Sequence, residues 1–365
     1  MPTELPTITG VLVIPRLRIQ NANAISSPLT WGAPAMSALL GTMHSLERRL
    51  GAELGLNFNG VGVICHGHEA QTTEGGFTRA FRLSRNPVNA DGSSASIVEE
   101  GRIHLDISLV FGVVGTVLGE DDATRQRVAQ TVADHLAGMR VAGGSVMPAL
   151  PHSAGGPTAR QQRPQLLPLG PEGAEQTKAF RSWRLRWLPG FALVSRDDLL
   201  HNHHAKLQAA QPGASLLDAW LDLSRLNYRA QRTQVENPRT GELVEAVTWQ
   251  HDRPAGWIVP IPVGYAALSP LYEPGEVAGA RDRSTHFRFV ESVYSLGQWI
   301  SPHRLTSVQD LLWYGDHDEP TGLYRCRNDY RAPAPADAEP GDPACAPMLP
   351  VFLPPAAQAQ QPSLF

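Results

Sequence analysis

Residues 10–32 read GVLVIPRLRIQNANAISSPLTWG. Val11, Val13, Leu17 and Ile19 alternate with residues that turn polar, namely Arg16, Arg18 and Gln20. A strand sends successive side chains to opposite faces, so this stretch predicts a strand with one buried and one polar face. The chain then leaves the strand in a long polar loop over residues 21–33, with no helix propensity before Pro34. That loop carries Asn21, Asn23, Ser26, Ser27 and Trp31. Amide and hydroxyl groups bond phosphate oxygens, sugar hydroxyls and base edges. A polar loop of this length at a strand end reads as a binding loop.

Working outward, Met36, Leu39, Met43, Leu46 and Leu50 recur at helical spacing up to Gly51. Residues 58–69 predict a second strand, with Val61, Val63 and Cys65 on one face and His66 and His68 on the other. Residues 102–111 predict a third, with Ile103, Leu105, Ile107, Leu109 and Phe111 against Arg102, His104, Asp106 and Ser108. A helix over 122–136 carries the stripe Val128, Val132 and Leu136, and a short strand over 139–147 comes next. Strand, helix, strand, strand, helix, strand is an α+β order and matches the ferredoxin-like, or RRM-like, plan. In that plan both helices cover one sheet face. The other is left free for the rows Arg16/Arg18/Gln20, His66/His68 and Arg102/His104/Asp106. In RRM-like folds the free face meets single-stranded RNA.

The middle strands are joined by an insert at about 70–101, too long for an idle loop. Phe77, Arg79, Phe81, Arg82, Arg85, Asn86 and Asn89 interleave cations, aromatics and amides there, which suits a hairpin gripping nucleic acid as well as it suits a solvated surface hairpin. The expected organisation is a palm over 1–150, a Pro/Gly/Gln-rich linker over 151–180, a mixed α/β region over 181–330, and a disordered Pro/Ala/Gln-rich tail over 331–365. Within the third part we expect a strand at 184–195 and helices at 197–210 and 216–226. After them come a polar loop at 229–247, a short strand at 257–262 and helices at 290–300 and 307–314.

Composition narrows the classes. Gly (33) and Pro (31) are too many among 365 residues for a helical bundle or repeat array. A net charge of -4 excludes a global basic field that would coat nucleic acid indiscriminately. Only two of the 31 cations are lysines, Lys178 and Lys206, so guanidinium forks dominate any anion contact. Three widely spaced cysteines specify neither a disulfide framework nor a four-ligand zinc site. His66 and His68 alone make a weak metal pair, and no metal is expected. His201, His203 and His204 lack the HExxH spacing. No phosphate-binding Gly loop or nucleophile elbow occurs. The longest apolar run, 107–119, is too short to span a membrane, no leader is visible, and a cytoplasmic protein is expected.

The stretch RLRIQNANAISSPLTWG resembles the signature of the second Csy subunits of type I-F CRISPR surveillance complexes (Cascade), a Cas-five-type family. The likeness continues through GVGVICH (60–66), RNPVNADGSSASIVEEGRIHLDISLVFG (85–112) and MRVAGGSVMP (139–148). It returns in LPGFALVSRDDLL (188–200), GWIVPIPVGYAALSPLY (256–272), RFVESVYSLGQWISPHR (288–304) and DLLWY (310–314). The resemblance implies an RRM-like palm with an inserted thumb. It implies a subunit that binds the five-prime handle of CRISPR RNA, pairs with the large Csy subunit and abuts the adjacent backbone Csy subunit. Target DNA is then met through the assembled complex. Processing and cleavage belong to other proteins, so neither a catalytic residue nor a cofactor is implied here.

Matched positions of suitable chemistry are Arg16, Arg18, Gln20, Asn21, Asn23, Ser26, Ser27 and Trp31 on the palm, with Arg79, Arg82, Arg85, Asn86, Asn89 and His104 on the thumb and adjoining strand. Arg281 and Arg283 lie beside a matched block. The alternative is a metal-independent endoribonuclease processing repeat RNA, with His104 and Arg102, or His66 and Tyr265, as acid and base. A purely structural adaptor is the third class. Gln361-Pro362-Ser363-Leu364-Phe365 resembles peptides that dock weakly on the DNA-polymerase sliding clamp, against a background of coincidence.

Overall fold

β1 (Gly10–Asn23) is the strand expected from the opening stretch, but its two halves do not share one alternation. Its pairing register with β9 (Arg102–Gly115) shifts between Ile14 and Leu17 and again between Ile19 and Ala22. Pro15 brings no N–H to the ladder, and Arg16 sits at φ 53. The bulge carries the side chains over by one position. Leu12, Ile14 and Ile19 enter one core, whereas Val11 and Val13 enter another on the opposite sheet face. The expectation that Val11 and Val13 share the face of Leu17 and Ile19 is therefore corrected. A one-residue insertion exchanges the faces of everything beyond it.

The computed structural model describes residues 5–51, 54–76, 78–85, 88–89, 91–94, 96–148, 163–171, 173–226, 228–236, 243–251, 254, 256–280 and 282–332. These form an α+β structure around an 11-stranded antiparallel sheet. α1 (Met36–Leu50) buries Met36, Leu39, Leu40, Met43 and Leu46, the stripe its spacing predicts. Arg48 and Arg49 face the negative end of its dipole, and Gly51 at φ 65 ends it. β4 (Leu56–Ala70) pairs with β9, and α2 (Asp122–Ala137) starts where Asp121 accepts from the Thr124 N–H. A tight hairpin, β10 (Arg140–Val141) and β11 (Gly144–Val146), returns to β1 at Ile19 and Gln20. The order across this part of the sheet is β11-β1-β9-β4. α1 and α2 lie on the face of Leu12, Ile14, Ile107 and Phe111.

The opposite face is not left free as expected. Val11, Val13, Ile64 and Val110 are buried there beneath Phe180, Trp183, Trp187, Leu305, Leu311 and Leu312. Glycines make the approach possible. A Cβ on Gly62 would lie 2.4 Å from Leu311 Cγ, and one on Gly112 2.5 Å from Leu312 Cδ1. Only the other half of that face, beyond the bulge, stays open.

The covering elements come from the stretch read as a linker and from the region C-terminal to it. β12 (Gln165–Pro168) pairs with the first half of β1, and α3 (Ala174–Leu185) runs through residues expected as linker and strand. The tail from 333 onward lies outside the described residues, as does 149–162. Next come β13 (Phe191–Ser195), α4 (Asp197–Ala210) and α5 (Leu216–Ser224), α5 closed by a Ser215/Asp218 capping box. The expected polar loop is a long hairpin, β14 (Tyr228–Glu236) with β15 (Leu243–His251). β16 (Trp257–Ala267) outruns the short strand expected. β17 (Val290–Ile300) is a strand where a helix was expected, because its second half is buried on both faces and shows no period of two. Residues 307–312 are turns rather than helix; Val308, Leu311 and Leu312 keep helical spacing but serve the core. β18 (Trp313–Asp318) and β19 (Leu323–Asn328) complete the sheet.

The pairings β4-β13-β17-β16-β19-β18 return to β4, since Trp313 of β18 stands across from Val61. Six strands thus close a ring through β4. Trp313 is fully buried in it and donates its indole N–H to the Leu193 carbonyl at 2.9 Å. Among the described residues no helix is long and apolar enough to cross a membrane.

Candidate nucleic-acid interface

The open half of the sheet face carries Arg16, Arg18 and Gln20, all exposed. Arg18 stands across from Asp106, and Arg16 closes an ion pair with the same carboxylate at 2.7 Å. The Arg16 guanidinium is thus neutralised locally, and Arg18 is the exposed cation beside it. Gln20 stands across from Ser145 at the edge.

Past the second bulge, Asn21 adopts φ 58, a conformation asparagine tolerates better than most residues. Its backbone N–H donates to Nδ1 of His104 at 3.2 Å. That nitrogen is an acceptor, so the ring proton sits on Nε2. The Gln71 amide lies 3.0 Å from Nε2 and also meets the Asn21 side chain. A proton on Nε2 requires the Gln71 oxygen there, with the Asn21 NH2 turned toward the same oxygen. Arg102 adds a fork onto Glu100, with bonds of 3.1 and 2.6 Å. The structure therefore gathers Asn21, His104 and Arg102 as expected. Asp106 joins them from the row expected on this face, and Glu100 orients Arg102; Gln71, just past the end of β4, is the residue that sequence reasoning left out of the site.

The second strand departs from expectation at His68. The register skips between Cys65 and Gly67, so His68 stands across from Leu105 and Glu69 across from His104. His66 and His68 consequently occupy opposite faces and do not form one row. His66 holds a different post. Its Nδ1 meets the Pro189 carbonyl at 2.7 Å and its Nε2 the Ser108 hydroxyl at 2.7 Å. A carbonyl only accepts, so Nδ1 carries the proton and Nε2 accepts from Ser108. Ser108 Oγ in turn accepts the Arg16 N–H at 3.1 Å. Burial, opposed by the Pro189 bond and aided by the nearby Arg16 charge, pushes the His66 imidazole below its ordinary 6.5. Both ring nitrogens are engaged, and neither bonds Tyr265, whose hydroxyl meets Ser37 at 3.3 Å.

The polar loop resolves into two kinds of residue. Asn23 spends its amide on its own turn, donating to the Ile25 carbonyl at 2.8 Å and accepting the Ile25 N–H at 3.1 Å. Ser26 and Ser27 both bond the Thr30 hydroxyl, at 2.8 and 2.6 Å, knotting the hairpin of β2 (Ile25–Ser27) and β3 (Thr30–Trp31); Ser27 is buried. These three residues, expected as RNA contacts, also shape the loop. Trp31 is 58% exposed and meets Phe81 edge-on at 5.8 Å, joining loop to insert.

In the insert, β5 (Thr72–Gly75) pairs with β6 (Thr78–Phe81), and β7 (Leu83–Arg85) with β8 (Ile97–Glu99). Arg79 pairs with Glu74 across the first hairpin. Arg82 is exposed, and Asn89 donates to Ser93 at 2.9 Å in a turn. Phe77, Asn86 and Arg281 lie outside the described residues, as does the side chain of Arg85. Arg283 is exposed in a separate loop. On α4, His203 bonds Asp222 at 2.7 Å and His204 the Ala214 carbonyl at 3.0 Å, ties between α4 and α5.

The family model described as CRISPR-associated protein (Cas_Csy2) matches residues 12–326. The chain belongs to the Csy2 family. A curated relative, CRISPR-associated protein Csy2 of Pseudomonas aeruginosa (strain UCBPP-PA14), is 49% identical over 323 residues, covering 87% of this chain and 94% of the relative. The resemblance read from the opening stretch is thereby borne out. The matched span runs from β1 into β19 and so takes in both the open and the covered half of the sheet face.

Proposed function

We propose that this Csy2-family chain is a non-catalytic RNA-binding subunit of a type I-F CRISPR surveillance complex working in the cytoplasm. It holds the five-prime handle of CRISPR RNA, pairs with the large Csy subunit, abuts the adjacent backbone Csy subunit, and meets target DNA only through the assembled complex. The observation that carries this reading is the open half-face: the exposed guanidinium groups of Arg16 and Arg18 stand beside Gln20, Asn21 and His104 on one sheet, with the exposed ring of Trp31 on the adjoining loop. Phosphate contacts need such cations, and an unpaired base needs such a ring. The sheet order β11-β1-β9-β4, with both helices on the other face, supports an RRM-like palm; the β5–β8 hairpins support a thumb. Residues 361–365, proposed as a weak clamp contact, lie outside the described residues.

Against the endoribonuclease alternative, His66 is locked between Ser108 and Pro189, and His104 between Asn21 and Gln71. The test is metal-free incubation of the purified protein with labelled repeat RNA. Tight binding with intact RNA is expected. Site-specific cleavage would establish the nuclease, and absence of binding the adaptor.

A further inference from the structure

Between the bulged segment of β1 and the cover formed by β12 and α3 lies a cavity of about 270 Å³. Three arginines line it, Arg16, Arg163 and Arg186, the last donating to Gln165 Oε1 at 3.4 Å, and none of the lining residues is acidic. Arg163 and Arg186 are exposed. Apolar groups complete the lining, among them the buried Trp183, the half-buried Leu167 and the exposed Pro189. His66 and Ser108 form part of the floor, and the relay from the Arg16 N–H through Ser108 and His66 to Pro189 fixes its geometry from both sides. Beside it, Asp106 pairs Arg16 through one oxygen, while the other is buried without a hydrogen-bond partner among the described residues.

Cationic mouth, apolar wall and this volume suit one anionic, partly flat group rather than a duplex or a peptide. We infer that the cavity receives a single unpaired nucleotide of the bound RNA, its phosphate held by Arg163 and Arg186 and its base against the apolar wall. This rests on the handle-binding reading above and extends it to residues outside the candidate set. The cavity adjoins the open half-face through Arg16, so a strand lying on Arg18 and Gln20 reaches it by turning one nucleotide inward.

The experiment uses the full chain with repeat RNA and a series in which each handle nucleotide in turn is made abasic. In the wild type, one abasic position should weaken binding about tenfold, and Arg163→Ala with Arg186→Ala should abolish that sensitivity. The same double variant should flatten the salt slope by about 0.7 for each phosphate it no longer neutralises. Both side chains are exposed, so the melting temperature should hold; if it does not, Arg163→Glu alone gives the same readout. Tight wild-type binding with an unchanged abasic profile in the double variant overturns the cavity while leaving handle binding intact. Competition by free nucleoside monophosphates, with no abasic position mattering, overturns the RNA assignment. A wild type that binds no RNA overturns handle binding and this inference together.

Discussion

The two halves of β1 lie in one strand, a few residues apart, and face different worlds. Before the bulge, Val11 and Val13 are sealed beneath the Trp183 and Trp187 cover. After it, Arg18 and Gln20, on the same sheet face, stand in solvent. The covered half binds the two parts of the chain together; the open half is a rigid platform whose side chains have little folding work to do. Stability and binding should therefore separate along the strand.

The largest expected effect lies in the covered half. Trp183→Ala should cost about 3–5 kcal/mol in urea unfolding, since a buried indole leaves a cavity. By the same measure, Arg18→Ala should stay within about 0.5 kcal/mol. Comparable losses at both sites would erase the distinction. Next in size, the triple variant Arg16→Ala/Arg18→Ala/Gln20→Ala should lower handle affinity by about 1–3 kcal/mol in filter binding while the protein remains folded. An affinity unchanged at low salt would remove the platform from the RNA path.

A smaller effect is expected from the insert. Arg79→Ala/Arg82→Ala/Arg85→Ala should weaken RNA retention and flatten the salt slope by about 0.7 for each phosphate left without its guanidinium. Because Arg79 already pairs with Glu74, its share should be the least, which single variants would show. The smallest effect concerns the join itself. The His66 imidazole titrates below 6.5 in the folded chain, so the unfolded chain binds more protons in the window below 6.5. Stability from this group is complete above pH 6.5 and falls as pH drops toward the lowered folded value. Thermal melts at pH 5.5 and 7.5 should differ less in His66→Gln than in the wild type. An equal difference would detach His66 from the pH response.

The sequence showed the elements before residue 150 most clearly, because they are half-buried and carry their period openly: Ile103 to Phe111 alternate, and Met36 to Leu46 recur every third or fourth residue. Bulges were hidden. Pro15 was the available sign at the first, and Gly67, a glycine inside a strand, the weaker sign at the second, where His68 changes face. Beyond residue 160, burial from both sides erased the period of β17, and the leucines of 308–312 imitated a helix while filling a core. At the candidate site, residue chemistry singled out Arg16, Arg18, Asn21 and His104, which the structure places on one half-face. It could not show that the polar groups of Asn23, Ser26 and Ser27 have partners of their own within a few positions, Asn23 at Ile25 and both serines at Thr30.

The ring of strands closed through β4 has a consequence for biosynthesis. Val61 has Trp313 as its partner across that edge, and Ile64 and Val110 wait for Leu311 and Leu312. At ~5–20 residues per second, the nascent N-terminal part leaves the ribosome and must persist for roughly tens of seconds before those residues exist. During that interval it presents an unpaired strand edge and a bare apolar face, the hallmarks of a chaperone client. Translation speed between the two halves, rather than the stability of the finished fold, should then set how much intact subunit a cell obtains.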